Sequence, residues 1–104
     1  MTEFSLAEIL PTPAGSGSIL VSGRCVTSLK RGTIFSWAYS ISSGIANPDS
    51  LEVIKSNARK ISLKVDRILF CDLLWESIES GQTPTLELVG SGSEELREDD
   101  LLTD

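Results

Sequence analysis

Ser18-Ile19-Leu20-Val21-Ser22-Gly23-Arg24-Cys25-Val26 (SILVSGRCV) has the composition of a β-strand, interrupted by a glycine. β-Branched and apolar side chains fit a pleated, half-buried surface. A glycine within such a run marks a sharp bend or the close approach of another backbone. Gly23 is therefore assigned a structural role. Upstream, Ala14-Gly15-Ser16-Gly17 supplies a turn, and Pro11-Thr12-Pro13 ends an earlier strand from Phe4 to Leu10. Proline donates no hydrogen bond to a ladder and sits at edges, bulges and turns. Downstream, Lys30-Arg31-Gly32 turns the chain into Thr33 to Ile41 (TIFSWAYSI), another β-branched and aromatic run.

Regular patterning then lapses. Residues 42–59 contain the turn clusters Ser42-Ser43-Gly44 and Asn47-Pro48-Asp49-Ser50, and this stretch is expected to be one long irregular loop. From Lys60 to Phe70, Ile61, Leu63 and Val65 alternate with Ser62, Lys64 and Asp66, so one face is wet. Leu69 to Ile78 fits both a strand and a helical i, i+4 spacing. Thr83 to Val89 is a further strand between two glycine turns. The tail from Ser93 to Asp104 is acidic, and Ser93-Glu94-Glu95-Leu96 can begin a helical turn. Short strands separated by glycine turns imply an all-β sandwich or barrel.

A chain of 104 residues makes a single domain, and 40% hydrophobic and 23% charged residues are globular proportions. The net charge of −6 opposes general attraction to nucleic-acid phosphates or anionic membranes. No apolar window is long enough to span a bilayer, and the N-terminal residues lack the pattern of a signal peptide. A cytoplasmic protein is expected. Cys25 and Cys71 both lie in apolar runs and are expected to pack as reduced core residues.

Three stretches resemble the second domain of translational GTPases such as elongation factor Tu. Gly15 to Arg24 is similar to that family's glycine-x-glycine-threonine, apolar run and threonine-glycine-arginine. Val65 to Gly81 (VDRILFCDLLWESIESG) is similar to its strand, loop and corner. Gly81 to Leu102 follows its order of strand, glycine, charged turn and closing apolar pair. The resemblance implies a six- or seven-stranded antiparallel barrel in which Gly23 lets a strand bend around a corner. It departs from the family at Thr27 to Gly32, which is shorter. The family's aminoacyl-end pocket is also altered: Glu8 alone matches, Ile9 and Pro11 replace a carboxylate and an aromatic ring, and Phe70-Cys71-Asp72-Leu73 lacks the usual basic residue. There is no GTPase domain and no GxxxxGK[ST] loop, so nucleotide hydrolysis is not implied.

The chain has no histidine, which removes Ser-His-Asp, Cys-His and histidine–metal chemistry, and two cysteines are too few for a thiolate zinc site. No catalytic, cofactor-binding or metal-binding residue is therefore assigned, and the protein is not expected to be an enzyme. Lys55, Arg59, Lys60, Lys64 and Arg67 place five of the nine cationic residues within 13 positions. They are the candidate contacts to a partner or to RNA. Lys60 and Lys64 differ by an even number and would share a strand face. Phe35, Trp37 and Tyr39 share a parity and are expected to face the core; an exposed one would become a partner anchor. The expected function is a non-catalytic binding module for another protein, acting through the barrel surface, the 42–59 loop and the acidic tail. The alternative is an RNA- or transfer-RNA-binding module related to translation.

Overall fold

The computed structural model describes residues 1–12, 17–47 and 50–104, with side chains described for all of these except 42–47 and 50–54. The turns expected at 13–16 and 48–49 lie outside the described residues. Among the described residues nine strands follow in order: β1 (Glu3–Leu10), β2 (Ser18–Cys25), β3 (Leu29–Lys30), β4 (Ile34–Asn47), β5 (Ser50–Phe70), β6 (Leu73–Trp75), β7 (Ser77–Ile78), β8 (Thr85–Ser91) and β9 (Leu101–Thr103). A 3-10 turn at Ser93–Glu95 precedes β9. Its N-cap is Gly92, in a left-handed conformation, and no side chain caps it.

The main sheet runs β4-β9-β1-β2-β8-β5-β6, and β4 pairs again with β5. Six strands thereby form a near-closed antiparallel ring, with β6 continuing outside it and β3 pairing separately with β7. Each ring strand sends at least one side chain inward: Phe4, Val21, Phe35, Leu63, Leu88 and Leu102 are all essentially inaccessible. Burying one such side chain contributes about 1.5–3 kcal/mol, so the core is the main stabilising element.

Strict period-2 alternation would give each strand one inner parity. Register shifts break that rule. Between Leu6 and Glu8 the β1–β2 ladder gains Ala7, so Phe4 and Leu6 face inward before the shift and Ile9 after it. Between Val65 and Arg67 the β5–β8 ladder gains Asp66; Val65 and Ile68 are both buried, and Arg67 turns outward. Between Phe35 and Trp37 the β4–β5 ladder shifts as well. Phe35 and Ala38 are buried while Trp37 is 39% exposed, so the core placement expected for Trp37 and Tyr39 from parity is reversed.

The irregular loop expected over 42–59 is also corrected. Residues 42–47 and 50–59 lie in β4 and β5, paired from Ser40↔Ser56 to Asn47↔Ser50. Serine, glycine and asparagine have weak strand preference, but cross-strand pairing supplies what local propensity lacks. Pairing with β9 stops at Tyr39, and pairing with β8 begins at Ser62. Beyond those points, among the described residues, the two strands pair only with each other and form an arm.

Gly23 lies opposite Leu6 at the β1 bulge. A Cβ built there would stand 2.1 Å from the Ser5 carbonyl oxygen and 2.9 Å from the Phe4 ring. Glycine is required by the approach of β1, because backbone cannot yield as a side chain does. Gly23→Ala is expected to destabilise the fold by about 3 kcal/mol, at the upper end of overpacking costs. A urea unfolding midpoint unchanged from wild type would refute this account of the bend.

Candidate functional site

The five cations picked out along β5 fall into three groups. Lys60 and Lys64 are exposed on the outer face, where the alternation of β5 puts them together. Lys60 pairs across the ladder with Trp37, and Lys64 with Ile34. Arg67 joins this face through the Asp66 bulge but holds Glu87 at 3.6 Å. Lys55 lies 3.5 Å from Glu3 and 5.7 Å from the centroid of the Tyr39 ring.

Arg59 is different and is corrected as a contact residue: only 9% of it is exposed. Its Nη1 and Nη2 donate to the two carboxylate oxygens of Asp100 at 2.8 and 3.0 Å. Nη2 also donates to Ser40 Oγ at 3.1 Å, Nε to the Asn57 carbonyl at 3.0 Å, and Nη1 to the Glu95 carbonyl. The odd parity that buries Ile61 and Leu63 buries Arg59 too, and Asp100 supplies its counter-charge. Asp100 belongs to the acidic tail, so that segment is partly structural. Glu94, Glu95, Glu98 and Asp99 remain exposed around it.

Two surfaces stand out among the described residues. The first is the outer strip of β4 and β5, where Trp37 stacks on Tyr39 with centroids 6.5 Å apart and planes 28° apart. Lys60 lies beside it. The second is the β5–β6 hairpin. Its two turn residues, Cys71 and Asp72, both have positive φ, 53° and 62°. That is the mark of a type I′ turn, whose twist matches the strands it joins. The turn brings out Leu73 (59% exposed), Leu74 (65%) and Trp75 (42%). Trp75 is fixed by its indole N–H, which donates to the Phe70 carbonyl at 2.9 Å. A groove lies on each side of it. One, of about 340 Å³, is lined by Phe70, Ile78 and Gln82 among others; the other, of about 310 Å³, by Arg31, Asp66 and Leu74 among others.

The sequence signal for this second surface was present but ambiguous. Leu73, Leu74 and Trp75 form an apolar triplet in a stretch that also fits a helix. Only the turn shows that they belong to a three-residue strand at the end of the sheet. Cys71, expected in the core, is exposed on that turn, whereas Cys25 is buried. Burial pushes the Cys25 thiol up to about 11, leaving it protonated and unreactive at neutral pH. Among the described residues no group of three His, Cys, Asp or Glu side chains is placed to hold a metal. No helix of the described residues is long and apolar enough to cross a membrane.

Asp100→Asn removes the counter-charge of a buried guanidinium and is expected to destabilise the fold by about 3–5 kcal/mol in urea unfolding. Replacing the pair together, Arg59→Met with Asp100→Leu, is expected to restore most of that loss. A single-variant loss under about 1 kcal/mol would instead rank the pair with exposed ion pairs. No protein-family model matches this chain, and a search of curated proteins finds no match either.

Proposed function

We propose that this protein is a non-catalytic binding module for another protein, and that its contact surface is the β5–β6 hairpin. The observation that carries this reading is the exposure of Leu73, Leu74 and Trp75 at the end of the sheet, Leu73 and Trp75 on one face and Leu74 on the other, with a groove on each side of the indole. Tryptophan is enriched among the residues that anchor protein interfaces, and exposed apolar side chains gathered at one place mark such sites. The near-closed ring and the order of the three sequence stretches support a second reading of descent: a barrel of the translational GTPase second-domain kind, kept without its GTPase. A fold can be inherited while its ligand site is not.

Affinity capture from nuclease-treated lysate tests the assignment. A protein retained by wild type and lost when Trp75→Ala and Leu73→Ser are combined is the expected outcome. Equal retention by wild type and the double variant would remove the hairpin from the interface.

RNA binding is supported by a separate observation, the exposed Trp37 on Tyr39 beside Lys60 and Lys64. Bases stack on aromatic faces while lysines meet phosphates. If these two lysines carry the contact, the salt slope for a single strand is about −1.4, and affinity falls about sevenfold from roughly 50 to 200 mM salt. Quenching of Trp37 emission by a labelled oligonucleotide, in a Trp75→Phe background, measures it. No quenching at low salt would dismiss the RNA reading.

A further inference from the structure

The hairpin has a free edge as well as an apolar surface. Among the described residues β6 ends the sheet, bonded to β5 on one side only. A two-residue turn makes Phe70–Leu73 the hydrogen-bonded pair, so the next pair, Leu69–Leu74, is of the other kind. In that kind of pair the backbone N–H and C=O point away from the partner strand. Leu74 therefore presents a donor and an acceptor outward, at the centre of the exposed apolar triplet. Proteins usually blunt an edge with charge or proline, whereas here apolar side chains flank it.

Two carboxylates bracket the triplet in sequence, Asp72 in the turn and Glu76 after Trp75, and both are exposed. Glu76 also contacts Arg31 at 3.1 Å, an exposed pair that a second cation can share. We propose that β6 accepts an added β-strand from its partner, an extended segment of three apolar residues flanked by lysine or arginine. The inference rests on the assignment of the hairpin as the contact surface and adds the mode and chemistry of binding. Leu74 makes both main-chain bonds to the incoming strand, side chains of that strand enter the grooves beside Trp75, and the flanking cations meet Asp72 and Glu76. Charge also decides against a second copy as the occupant. Antiparallel pairing of two such edges at Leu74 sets Asp72 against Glu76 twice, and like charges placed opposite each other repel.

A displayed library of random seven-residue peptides, panned on the full chain, tests the proposal. The expected selection is apolar triplets flanked by Lys or Arg, with glutamate-flanked twins binding about tenfold more weakly. Leu74→Pro removes the outward N–H without breaking the β5 ladder, and selected peptides are expected to lose binding to it while circular dichroism is unchanged. Asp72→Lys with Glu76→Lys is expected to invert the preference to acidic flanks, which keeps the test open should the proline variant not fold. Selection without charge bias, full binding by a folded Leu74→Pro variant, or an empty selection overturns the proposal. So does sedimentation of the wild type as a dimer that Leu74→Pro dissociates. An empty selection together with Trp75-dependent capture would leave the hairpin as an interface and refute only strand addition.

Discussion

One buried guanidinium holds together parts of the chain that local structure cannot. Arg59 and Asp100 lie 41 positions apart, one on the longest strand and the other just before the shortest segment of the ring. The main chain at Asp100 is tied to β1 as well: its carbonyl accepts from Leu6 N–H at 2.8 Å, and Asp99 N–H donates to the Leu6 carbonyl at 2.9 Å. Residues 99 and 100 therefore join β1, β5 and, through Ser40, β4 in one network. A charge in that position would be costly alone. With a forked counter-charge, two carbonyls and the Ser40 hydroxyl accepting from its donors, it fixes a single register.

Ring closure follows from that fixing. β9 is only three residues long, yet it pairs with β1 on one side and β4 on the other. Leu102 joins the core cluster, and Leu101 and Thr103, also buried, pair across the ladder with Tyr39 and Trp37. Strands this short add little by themselves, so the Asp100 anchor is what seats them.

Alternation of apolar and polar residues made the all-β class and most strand positions legible from Phe4, Ile19, Leu63 and Leu86. Facing was less legible. A bulge is a relation between two strands, so nothing in TIFSWAYSI tells Phe35 and Trp37 to point opposite ways. Arg59 read as an available cation because its neighbours in sequence are Lys60 and Lys64; its carboxylate is far away in the chain. The arm was missed for a similar reason, since each half is ordered chiefly by the other. The hairpin patch lay in a stretch whose two periodicities competed. It was settled by Cys71 and Asp72, residues that accept positive φ less readily than the usual asparagine and glycine.

The place of β9 has a kinetic side. The hairpins β4–β5 and β5–β6 join neighbours in sequence and can form within microseconds. Glu3↔Thr103, by contrast, spans nearly the whole chain. Bringing those ends together costs loop entropy before any contact compensates it, and all-β topologies dominated by such pairings fold in milliseconds to seconds. Until β9 docks, β1 and β4 each present an unpaired row of main-chain donors and acceptors. Before β9 docks, those two edges stand open in addition to the β6 edge that the folded ring keeps, so closing the ring reduces the number of strand edges open to association.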